Sequence, residues 1–159
     1  MKQSSQDRLN IELIRGAALW LLAALALAWC LVGLNLGVPA LKAIFAGKQI
    51  RLVQAHIDFL LMTALILGIY AAKAPLHWTL RWSMVLGAFG NSSLFLLQAI
   101  FPAFDAPAPA DGQFALAFRI YTFASVTMTT YGFGGAAISI LRWTFRSAPA
   151  SSVIGGRPS

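Results

Sequence analysis

Three ionisable side chains stand inside long apolar stretches of this sequence: His56 and Asp58 in Gln54-Ala55-His56-Ile57-Asp58-Phe59, and Arg119 in Phe118-Arg119-Ile120. An ionisable group among apolar residues is costly to keep there, so each is a candidate for chemistry, weighed against a structural ion pair or a hydrogen bond between helices. For His56 the plain reading is a hydrogen bond to a neighbouring helix. The functional reading is a metal or haem ligand, because neutral imidazole is a common ligand of haem iron. Lys48, Arg51 and Arg119 are the cations placed to meet the two propionates of such a haem. Asp58 follows His56 by two residues, about 200° around a helix, so the two cannot enter one site from one straight helix. Asp58 reads as the partner of Arg119 in a buried ion pair, as a proton relay, or, in a homo-oligomer, as a group at a second interface. His77, the other of the two histidines, falls at the far end of its apolar run, which disfavours a dinuclear metal site. The single cysteine, Cys30, supports neither a disulfide framework nor a Cys-based metal site.

The elements that must hold these groups are helices crossing a bilayer. Of the 159 residues 58% are hydrophobic and 11% charged, far more apolar material than one soluble core could hide. Four apolar stretches, about 11–37, 52–72, 78–101 and 114–143, each reach the roughly 20 residues that a transmembrane helix needs. The expected fold is therefore all-α, a bundle of four transmembrane helices forming one domain over 1–146, with 147–159 a disordered Ser-, Pro- and Gly-rich tail. The first stretch runs past the length of a secretory signal and lacks a small-x-small exit, and Trp29 occupies the position before Cys30 that a lipoprotein signal keeps small, so it reads as a retained helix. Segment 38–50 suits a short interfacial helix, and the connection from Pro102 onward is Pro-rich and free of basic residues. No internal repeat is visible.

Lys and Arg number 12 against 5 Asp and Glu, a formal charge of +7, and the basic residues are spread between apolar runs rather than gathered for a nucleic acid. Lys2, Arg8, Arg15, Lys73, Arg81, Arg142, Arg146 and Arg157 fall on the side shared by both termini, which the positive-inside rule makes cytoplasmic, in a bacterial inner membrane. Lys42, Lys48 and Arg51 fall on the outer side against that rule, which ties Lys48 and Arg51, with Arg119, to a buried anion. Gly87, Asn91, Phe95 and Gln98 recur at helical spacing on the third span and suit helix packing. The hydroxyls of the fourth span can satisfy themselves on their own backbone, and Gly33 and Gly37 form a small-xxx-small pair for helix association.

Ala55-His56 on the second span and Asn91 on the third resemble the motif of the small four-helix membrane isomerases, the group that includes styrene oxide isomerase and, more distantly, hydroxylaminobenzene mutase. The resemblance covers about 51–143. Met62, Gly87 and Phe95 stand where the styrene oxide isomerase pattern has Asn, Asp and Tyr. The mutase-like pattern, His56-Ile57-Asp58 with Gly87-Ala88-Phe89-Gly90-Asn91, is matched more fully. The resemblance implies that His56 ligates a haem b held between subunits of a homotrimer, with an iron that acts as a Lewis acid on a substrate oxygen and rearranges an epoxide or hydroxylamine without net redox change. It further implies an apolar pocket of Phe59, Met62, Phe89 and Phe95 for a small lipophilic molecule, and Asn91 and Asp58 as the polar groups at the reacting centre. Readings from other classes stay open: a haem-binding electron carrier, a sensor or assembly subunit, or a small transporter that couples protons through Asp58.

Overall fold

The computed structural model describes residues 10–105 and 112–147. Among these residues the protein is entirely helical. We number the helices α1 (Ile11–Asn35), α2 (Pro39–Ile44), α3 (Gln49–Ala71), α4 (Trp78–Ile100) and α5 (Gln113–Ser147), with a 3₁₀ turn at Pro102–Asp105 between α4 and α5. Helices α1, α3 and α4 are long and apolar enough to cross a membrane. Their 23 to 25 residues span about 35 Å, more than the hydrocarbon thickness of a bilayer. Helix α5 is longer still, 35 residues, but Arg119 and its many hydroxyl residues make it less apolar. It continues to Ser147, so the helix takes in the first residue of the expected tail; positions 148–159 lie outside the described residues, as do 1–9 and the Pro-rich positions 106–111.

Local chemistry sets the helix ends. Gly37, at φ +80°, supplies the left-handed residue that stops α1, and Pro39 opens α2 at a position where its missing N–H costs nothing. Gly33 lies against Leu41 of α2. The small pair Gly33 and Gly37 thus shapes the α1–α2 turn, a correction to its reading as a contact between spans. Ile50 belongs to α3, so the interfacial helix is shorter than expected. Lys73 at φ +53° ends α3, and His77 caps α4, its Nδ1 accepting from the Thr79 amide. Pro102 follows the last residues of α4 and cannot extend it.

Helix α4 is the hub: α3 and α1 pack on one side of it and α5 on the other, while α1 and α3 pack on each other. Two apolar clusters fill the interior. One joins Leu13, Ala17, Met62, Ile66 and Met84; the other joins Ala24, Leu27, Leu52, Ala55, Phe59 and Ala99. Trp20 packs against both, stacks on Phe89 at 4.9 Å and donates its indole N–H to the Val85 carbonyl at 3.1 Å. Small residues let α4 and α5 approach backbone to backbone: a Cβ on Gly87 would stand 2.8 Å from Thr129 Cα, and one on Gly132 would stand 2.6 Å from Met84 N. Hydroxyls of α5 return to their own helix, Thr122 to the Phe118 carbonyl, Thr129 to that of Ser125 and Ser139 to that of Gly135, each at 2.8 Å.

Polar ties close both ends of the bundle. At the end that carries the start of α1, Arg81 is buried, with Nη1 3.4 Å from Asn10 Oδ1 and Nε 3.8 Å from Glu12 Oε2. At the other end the Gly47 amide donates to the Ala99 carbonyl at 2.8 Å, where a side chain at position 47 would strike the backbone of Gln98 and Ala99.

Candidate functional site

Helix α3 carries the candidate groups on its two flanks. Phe59, Ala55 and Leu52 point into the core, and Ile57 faces outward with 55% of its surface exposed. His56 and Asp58 lie to either side of that axis, both half-buried. His56 turns to α1, where its Nδ1 sits 2.8 Å from the carbonyl oxygen of Ala24. A carbonyl only accepts, so Nδ1 carries the proton and the lone pair of the neutral imidazole is on Nε2. Histidines that ligate metals are commonly held this way, one ring nitrogen donating to a carbonyl and the other left to bind. Nε2 has no partner among the described residues, and its donor chemistry would suit a metal or haem iron.

Asp58 turns the other way, to α4. Its Oδ2 accepts from Asn91 Nδ2 at 2.9 Å and from Ser92 Oγ at 2.8 Å. No cation lies within ion-pair distance of Asp58 among the described residues. The expected intrachain pair with Arg119 is not formed, because Asp58 sits in the α3–α4 groove and Arg119 is exposed on α5. The amide of Asn91 is committed to Asp58 and lies across α3 from the His56 imidazole. Within one chain, the two polar residues expected at the reacting centre are thus grouped with each other and not with the proposed ligand.

The cations expected around a haem are distributed differently as well. Lys48 Nζ is 2.9 Å from Asp105 Oδ2, Arg51 Nε donates to Asp105 Oδ1 at 2.7 Å with Nη2 on the same oxygen, and Arg51 Nη1 donates to Gln54 at 2.9 Å. The Asp105 side chain is only 6% exposed. Hydrogen bonds from Lys48 and then Arg51 hold its carboxyl below the ordinary carboxylate range, against the opposing effect of burial. Lys48 and Arg51 thus both meet one carboxylate of this chain, two cations on a single acid. The signal was present in the sequence as an acid in the connection that faces three basic residues on the same side. Arg119, on a helix that packs along α4, is not in the α1–α3 groove with His56.

Of the four residues expected to form an apolar pocket, Phe59 and Phe89 lie ring to ring at 6.3 Å, and both meet Trp20. Phe59 and Met62 are buried in different core clusters, Phe95 packs half-buried against the Phe59 cluster, and Phe89 stacks on Trp20 and stays partly exposed. Phe59, Met62 and Phe95 pack into the core, and Phe89 lies at its edge. A cleft of about 580 Å³ lies instead between the end of α4, the 3₁₀ turn and the start of α5, walled by Leu97, Phe101, Phe104, Phe114, Phe118 and Tyr121. Phe104 and Phe118 stack at 4.4 Å, and the Tyr121 hydroxyl is 2.6 Å from Ser93 Oγ. Among the described residues the cleft offers apolar contact and no uncommitted side-chain polar group. Its sequence signal is the recurrence of Phe on both sides of the Pro-rich connection. In comparisons with known proteins the chain matches no family model, no curated protein and no solved structure.

Proposed function

We propose that this chain is an integral membrane protein of four spans, α5 completing the set, that ligates haem b through His56 Nε2 and serves as an intramolecular isomerase or mutase for a small lipophilic, epoxide- or hydroxylamine-like substrate. The observation that carries this reading is the 2.8 Å contact of His56 Nδ1 with the Ala24 carbonyl: a carbonyl only accepts, so Nδ1 donates and the lone pair able to ligate is left on Nε2. A fourth span is supported by the length of α5 and by hydroxyls that satisfy themselves on its own carbonyls, which lowers the cost of its polar composition in lipid. An even number of spans, with the basic residues Arg142 and Arg146 closing α5, is consistent with both termini in the cytoplasm of a bacterial cell. The haem iron would supply Lewis acidity toward a substrate oxygen. The chain itself fixes the imidazole from the α1 backbone.

The test is the absorption spectrum of protein purified in mild detergent from haem-replete cells. Wild type is expected to show a Soret band, His56→Ala to lose or strongly alter it, and Arg51→Ala to keep it, since Arg51 is bound to Asp105. A band that shifts with epoxide or hydroxylamine analogues supports the enzyme over an electron carrier. A colourless wild-type protein overturns the haem reading.

A further inference from the structure

We infer that the outer face of α5 binds a second copy of this chain, with Arg119 of one copy pairing with Asp58 of the next. The inference rests on α5 being a membrane span and is independent of haem. Helix α5 packs along α4, and its far side carries Arg119, Thr127 and Thr130, all exposed, and Gly134, beside which a Cβ would meet open space. An arginine and a run of hydroxyls are costly toward lipid and are ordinarily turned to protein. Asp58 is the complementary group, a half-buried carboxylate whose neighbours Asn91 and Ser92 are neutral donors on one oxygen only, leaving Oδ1 without a donor among the described residues.

The two charges lie at one depth. Asp58 is bonded to Ser92, and the next residue of α4, Ser93, is bonded to Tyr121 of α5. Arg119 is two residues from Tyr121, about 3 Å along the axis at 1.5 Å per residue, a difference that an arginine side chain spans easily. Copies related by an axis along the membrane normal keep their depths, so the α5 face of one meets the α3–α4 groove of the next with cation and carboxylate level. The pair compensates two charges that a single chain leaves apart.

The experiment is disulfide trapping between two tagged copies in native membranes, each with Cys30→Ala, one carrying Asp58→Cys and the other Arg119→Cys. Oxidation is expected to yield a dimer bearing both tags, several-fold above a control pairing of Asp58→Cys with Trp29→Cys. No doubly tagged dimer, or a yield equal to the control, overturns the proposal. Native mass spectrometry supplies a second readout. Arg119→Gln and Asp58→Arg should each lose the oligomer while retaining helical content, and Asp58→Arg combined with Arg119→Asp should regain it; an oligomer that persists in Arg119→Gln overturns the pair. Labelling of Arg119→Cys by a membrane-impermeant maleimide separates the two possible failures. Protection without cross-linking sinks the pairing alone, and ready labelling sinks the placement of α5 in the membrane with it.

Discussion

Asp58 Oδ2 takes two hydrogen bonds from α4, and this makes the residue structural in a way that a substitution series can read. Asp58→Asn keeps an acceptor for the Asn91 amide and the Ser92 hydroxyl, and is expected to change subunit stability by less than about 1 kcal/mol in thermal unfolding. Asp58→Leu strands both donors and should cost about 1–3 kcal/mol for each. At this scale the sequence showed which residues are expensive, since an acid, a base and an imidazole in apolar runs announce themselves. It did not show their partners. Asp58 met Asn91 and Ser92 instead of Arg119, and Lys48 and Arg51 met Asp105, because partner choice depends on which helix faces oppose each other. That His56 and Asp58 diverge was legible, being a consequence of two residues on any helix.

Among the elements, α4 and α5 depend on close approach. Gly132→Val would drive a side chain into the backbone at Met84 and should destabilise the bundle by about 1–3 kcal/mol, whereas Gly134→Ala, which meets open space, should be near neutral; thermal unfolding of both variants checks the contrast. The tie from Asp105 to Lys48 and Arg51 fastens the end of α4 to the start of α3, and its pH dependence has a definite sign. The carboxyl is held below its ordinary value of 3.8, so the tie contributes stability above that value and loses it as pH falls through the lowered value. The protection of the Gly47 amide against hydrogen exchange should fall over that acid range, and Asp105→Asn should abolish the dependence. The four long helices were legible within a few residues because each is a sustained apolar run. The role of Gly33 and Gly37 was not, since small residues four apart serve a turn as readily as a helix contact.

For the whole molecule, the arrangement around α4 places His56 in the α1–α3 groove and leaves α5 with a single principal neighbour. Four spans should put both termini on one side, so cytoplasmic reporters fused at either end are expected to be active and periplasmic ones silent. The composition made a bundle of long apolar helices legible. The packing of Phe59 and Phe89 on Trp20 was not, because it follows from how three helices interlock. The proposed function rests on one atom, Nε2 of His56, and imidazole rescue addresses that atom most directly. Purified His56→Gly, supplied with haem, should lack the wild-type Soret band and regain it when free imidazole is added. A wild-type band already present in His56→Gly without imidazole would contradict ligation by this residue, as would the absence of any band in the wild-type protein.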